Sequence, residues 1–135
     1  MKFTAVTSAL ALAASATAAS VGYDQGFDDG SRSMLTVSCS DGSHGLASRF
    51  PTQGNLPNFP HIGGVPAIEG WNSANCGSCW KLTYNGKSIY VLGIDHSTSF
   101  NIALGAMNDL TNGNAVGLGR VEATAEQVSS SFCGL

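Results

Sequence analysis

Apolar and polar residues alternate in several short stretches of this chain, and the alternation marks strands. Trp80, Leu82 and Tyr84 share one face of a two-residue period, the pair Asn85-Gly86 follows, and a run rich in Ile, Tyr and Val extends from Ser88 to Asp95. Asn-Gly between two such runs predicts a β-hairpin with a type I′ turn, because both central residues of that turn need positive φ. Leu35, Val37 and Cys39 alternate with Thr36 and Ser38, which predicts a half-buried strand stopped by the turn cluster Ser40-Asp41-Gly42-Ser43. Phe100-Asn101-Ile102 predicts a short strand, and the stretch from Arg120 to Ala125 alternates again and ends the sheet. Leu104, Met107 and Leu110, three apart before Gly113, predict one short amphipathic helix with a glycine stop. From about residue 49 to 70, Pro51, Pro57, Pro60, Pro66 and several glycines argue against regular helix and central strand, and predict an ordered loop or lid. The sum is a small, mainly β protein. Six or so short strands without charged edges would pair edge to edge, so the barrel is expected to be closed.

The N-terminus changes the picture of where this domain folds. Met1-Lys2 precedes a small, apolar run from Phe3 to Ala14, and Ala16-Thr17-Ala18 follows, the tripartite pattern of a secretory signal peptide over residues 1–18. The run is shorter than the roughly 20 apolar residues that span a membrane, so no membrane span is expected. Cleavage after Ala18, or one residue later, leaves a single domain over residues 19–135. Export to an oxidising compartment makes Cys39, Cys76, Cys79 and Cys133 a two-disulfide framework. Joining Cys76 to Cys79 would close too short a loop to stabilise much, which leaves both long-range pairings open. A single Cys-x-x-Cys without a second pair does not spell a zinc site, and no metal or other cofactor is expected. Nor does it lead a helix, as a redox dithiol does, since Trp80-Lys81-Leu82-Thr83-Tyr84 reads as strand.

Without Lys2, five basic residues face nine acidic ones, a net charge of −4 that argues against a nucleic-acid partner. Only 11% of the residues are charged, and Gly, Ser, Thr and Asn are plentiful, a surface suited to neutral carbohydrate. Asp95 ends the best strand ahead of the polar loop His96-Ser97-Thr98-Ser99, so its carboxylate can face a groove. Glycoside hydrolysis ordinarily takes two carboxylates at a defined separation. Asp24, Asp28 and Glu69 are the candidates for a second, and none sits in a recognisable motif. Binding is therefore favoured over cleavage, with a weak polysaccharide hydrolase using Asp95 as its acid as the alternative. His44, His61 and His96 lack metal-ligand spacing and read as solvated or loop-packing, while Trp80 reads as core.

Taken in order, Tyr23-Asp24, Ser38-Cys39-Ser40-Asp41-Gly42 with His44-Gly45-Leu46, Phe59-Pro60 to Gly63-Gly64-Val65-Pro66, Gly70-Trp71, Cys76-Gly77-Ser78-Cys79-Trp80, Gly93-Ile94-Asp95 and Phe100-Asn101-Ile102 resemble the cerato-platanin family over essentially the whole mature chain. The resemblance implies a six-stranded double-psi β-barrel with short helices, related to expansins, and the pairings Cys39 with Cys76 and Cys79 with Cys133. It implies a fungal source, secretion with partial retention in the fungal cell wall, and a non-enzymatic protein that binds chitin or N-acetylglucosamine oligomers. Loosening of cellulose without hydrolysis, and elicitor or phytotoxin action on plants through a receptor, are implied likewise. Asp95, Asn101, Tyr23 and Thr36 match the family's groove positions. Tyr23 could offer a ring to a pyranose face, and Thr36 and Asn101 hydrogen bonds to its hydroxyl or acetamido groups. The loop between Asp95 and Phe100 is one residue shorter than the family's usual pattern. A monomer is expected, with self-assembly left open.

Edman sequencing of the protein recovered from culture medium is expected to begin at Ala19 or Ser20, and to find no chain retaining Met1.

Overall fold

The Asn85-Gly86 turn makes the hairpin that the sequence predicts. With φ of 48° and 79°, both residues are left-handed, and they join β3 (Cys79–Tyr84) to β4 (Lys87–His96) with Leu82 opposite Ile89 and Trp80 opposite Val91. The computed structural model describes residues 15–135, so the expected leader lies outside the described residues up to residue 14.

Around this hairpin the chain builds β1 (Thr17–Tyr23), β2 (Ile62–Val65), β5 (Phe100–Ile102) and β6 (Val121–Val128). They form the closed six-stranded barrel expected, in the order β1-β5-β2-β4-β3-β6 and back to β1. The pairs β1/β5 and β2/β4 are parallel, and the others antiparallel. Val21, Leu82, Val91 and Ile102 are among the side chains fully buried in the core. The predicted helix, α1 (Leu104–Leu110), buries Ala106, Met107 and Leu110. Its first amides are capped from a distance, because Asp28 accepts from Leu104 N at 2.7 Å and from Gly105 N at 2.9 Å. A further helical turn, α2 (Ala115–Leu118), was not signalled by periodicity.

Two expectations are corrected. The Pro/Gly-rich stretch does contain a central strand: β2 is buried along its whole length between β4 and β5. Pro60 and Pro66 flank the strand instead of interrupting its ladder. Its glycines are a requirement of close approach, since a Cβ on Gly63 would stand 2.5 Å from the Asn101 carbonyl oxygen. The rest of that stretch is an ordered loop, pinned by the buried Gln53, whose side-chain amide donates to Gly26 O and Asp29 O. The second correction concerns residues 35–39, which are not a strand. Met34–Thr36 form a 3₁₀ turn in which Ser33 Oγ accepts from Leu35 N and Thr36 Oγ1 donates to Ser33 O. These local bonds compete with a ladder. Leu35 is consequently 66% exposed, while Val37 and Cys39 remain buried.

Cys39 is joined to Cys76 and Cys79 to Cys133, closing segments of 37 and 54 residues. Loop-closure entropy gives each bridge about 4 kcal/mol. In chemical denaturation, the double variants Cys39→Ala/Cys76→Ala and Cys79→Ala/Cys133→Ala should each lose stability of that order, the second slightly more than the first.

Candidate functional site

Backbone register brings the central site residues into one row. Gly22 of β1 pairs with Asn101 of β5, Asn101 with Gly64 of β2, and Gly64 with Asp95 of β4. A bulge between Gly63 and Gly64 sets this alignment. Three strand spacings separate the ends, about 14 Å between Gly22 and Asp95. Only Asn101 and Asp95 have side chains in the row, and both are half-buried. The two glycines are covered by neighbours: a Cβ on Gly64 would lie 2.9 Å from Ser97 Cβ, and one on Gly22 would lie 2.5 Å from Arg120 Nη2. The result is a shallow surface of small and polar groups.

Asp95 is held firmly. Its Oδ1 accepts from Ser38 N at 2.9 Å, from Ser38 Oγ at 2.8 Å and from His96 N at 2.9 Å, while Oδ2 has no partner among the described residues. The other acids weighed for catalysis serve local structure. Asp24 caps a 3₁₀ turn through Gly26 N, Asp28 caps α1, and Glu69 accepts from Ser73 Oγ at 2.7 Å. That bond from Ser73 is the main reason the Glu69 carboxyl sits below the ordinary glutamate value, which makes it a poor proton donor at neutral pH. No group of three or more His, Cys, Asp or Glu residues placed to hold a metal occurs among the described residues.

The family model described as cerato-platanin matches residues 19–135. The chain belongs to the cerato-platanin family. It is 49% identical over 135 residues to the heat-stable 19 kDa antigen of Coccidioides posadasii, covering 98% of this chain and 90% of that protein. The crystal structure of cerato-platanin 2 from M. perniciosa superposes with a TM-score of 0.85 at 46% identity, over 88% of this chain and all of that one. The solution structure of the fungal elicitor cerato-platanin gives 0.77 at 40% identity, over 84% and 95% of the two chains.

Of the four groove residues assigned by resemblance to cerato-platanins, register gathers Asp95 and Asn101 alone into the row. Tyr23 stands one step beyond Gly22, opposite Ile102, and packs partly against the core. Thr36 is exposed, and its hydroxyl is occupied, accepting from Arg32 Nε at 3.1 Å and donating to Ser33 O at 2.7 Å. Trp80, expected in the core, packs edge-on to Phe100 with ring centroids 5.5 Å apart but is only half-buried. Trp71 is 62% exposed and donates to Asp41 Oδ1 at 2.7 Å. The histidines lie in loops or at strand ends; His61 is also paired with Asp109 at 2.6 Å, which its sequence neighbours gave no sign of. Ser38, Ser97 and Arg120 were missed as site residues. Each acts across a fold contact, so no local pattern could reveal them.

Asp95→Ala should cost roughly 1–3 kcal/mol in denaturant unfolding, because the Ser38 amide and hydroxyl lose their acceptor. Asp95→Asn keeps an Oδ1 acceptor and should cost distinctly less.

Proposed function

We propose that this protein is a secreted cerato-platanin that binds N-acetylglucosamine oligomers along the Asp95–Asn101 row and loosens wall polysaccharide without hydrolysing it. The observation that carries this reading is the alignment of Asp95 and Asn101 on either side of Gly64, with only the small Ser97 and the backbone of His96 close above the glycine. A flat, polyhydroxylated ring can approach the barrel there, its hydroxyls exchanging bonds with Asp95 Oδ2 and its acetamido group with the Asn101 amide. Asp95 acts as an orienting ligand. The commitment of Asp24, Asp28 and Glu69 to caps and local bonds supports binding over cleavage.

Loosening follows from competition. Groove contacts replace interchain hydrogen bonds of chitin or cellulose at nearly neutral net energy, so many transient exchanges let chains slide with no covalent bond broken and no cofactor consumed. A shallow, solvent-open site with few aromatic anchors fits affinities of roughly micromolar to millimolar. The leader pattern, the paired cysteines and membership of a family that includes a named fungal elicitor support an extracellular protein, partly held in the fungal wall, that acts as elicitor or phytotoxin toward plants through a receptor.

The deciding assay follows fibre dispersion and reducing ends together over long incubation. Wild type is expected to disperse chitin or cellulose without releasing soluble sugar, and Asp95→Asn to disperse less. Sugar release that vanishes in Asp95→Asn would establish the hydrolase instead.

A further inference from the structure

Beside the row, one end of the barrel opens into a cleft of about 400 Å³ whose wall includes Ala19, Ser20, Trp80, Ser99, Phe100 and Ala125. Its floor is apolar and fixed, because Trp80 packs edge-on against Phe100 and donates its indole N–H to Ser78 Oγ at 2.8 Å. Its rim is hydroxyl-bearing. Arg120 lies across that rim toward the row: Nη1 donates to Ser20 Oγ at 3.0 Å and to Ser99 Oγ at 3.1 Å, and Nη2 and Cζ cover Gly22.

This guanidinium is positioned by neutral groups alone. Among the described residues no carboxylate lies within ion-pair distance of it, the one such pair being His61–Asp109. Glu122, the register partner of Ser20 on β6, is the neighbouring acid and leaves Arg120 unpaired. The two serines occupy Nη1, so the edge formed by Nε and Nη2 keeps the fork geometry that matches a carboxylate. Asp95 lies three strands away, about 14 Å by strand spacing, beyond the roughly 8 Å screening length of physiological salt.

We propose that the barrel mouth and Arg120 form a subsite for an acidic sugar. A uronate ring occupies the cleft over Trp80, and its carboxylate sits on the Nε/Nη2 edge of Arg120. The assignment rests on the reading of the row as a sugar groove to the extent that one oligosaccharide crosses both, since Arg120 covers the glycine beside Asn101. Cleavage after Ala18 would take Thr17 and Ala18 off the mouth and leave Ala19, Ser20, Trp80, Ser99, Phe100 and Ala125 lining it.

The test titrates the mature, secreted protein with a galacturonate trimer, its methyl ester and an N-acetylglucosamine trimer, at low and high salt. The uronate is expected to bind roughly fivefold tighter than its ester at low salt, the scale of a favourable exposed ion pair, and the preference should shrink at high salt. Arg120→Gln should abolish that preference, Arg120→Lys should keep only part of it, and Glu122→Gln should enlarge it. Equal binding of acid and ester by wild type, a preference that survives Arg120→Gln, or no uronate binding at all would overturn the proposal. Melting curves of the variants confirm that each is folded, and Arg120→Lys carries the comparison should Arg120→Gln fail to fold. If the N-acetylglucosamine trimer binds and Asp95→Asn weakens it while acid and ester stay equal, the mouth fails and the groove reading stands. If uronate binding depends on Arg120 and the neutral trimer does not bind, the groove reading fails and the mouth stands.

Discussion

The barrel closes because β2 can be pressed between two neighbours, and glycine makes that possible. Gly63 leaves no room for a Cβ beneath the Asn101 carbonyl, and Gly93, its partner on β4, would place a Cβ 2.9 Å from Val65 Cγ2. A side chain at Gly63 would push β2 off the β5 backbone, and one at Gly93 would displace the packed side chains of Val65 and Ile68. The bulge at Gly63/Gly64 lies at the same place, and it decides which residue of β4 stands level with Asn101. A ladder continued without the bulge would have set Ile94 there. The site is thus a consequence of closure.

Around this seam, irregular chain is held by bonds that leave few buried polar groups unmet. Ser38 reaches Asp95, Cys39 N donates to Ile94 O, and Cys39 is tied to Cys76. The segment on the outer side of β4 is therefore fixed by hydrogen bonds and a covalent link although it has no ladder of its own. No buried side-chain nitrogen or oxygen lacks a partner among the described residues. A protein with so much turn and loop can present a rigid surface because each loop is anchored at specific atoms.

The parts legible in the sequence were those in which local chemistry and global fold agree: the Asn85-Gly86 hairpin, the strand at Phe100, α1 and the ending strand at Arg120. The β-period at residues 35–39 misled because Val37 and Cys39 are buried as on a strand's inner face, while Ser33 and Thr36 take the backbone into a 3₁₀ turn that leaves Leu35 exposed. Strand β2 was hidden because its glycines signal close packing only once β5 is known to lie against them. Strand β1 was hidden because its first residues, Thr17 and Ala18, read as the end of a leader, yet residues 17–21 pair with β6. Asp95 was legible as the end of a strong strand and Asn101 through family resemblance. Their alignment was not, since it depends on a bulge and on two parallel pairings that connect distant segments.

We propose that sugar binds along the aligned row on β1, β5, β2 and β4. Amide chemical-shift mapping during titration with an N-acetylglucosamine oligomer tests it directly. The largest shifts are expected at Gly22, Gly64, Asp95, Ser97 and Asn101, with the Asn85-Gly86 turn unmoved. Shifts confined to that turn, or to the exposed Trp71 and its neighbours, would contradict it.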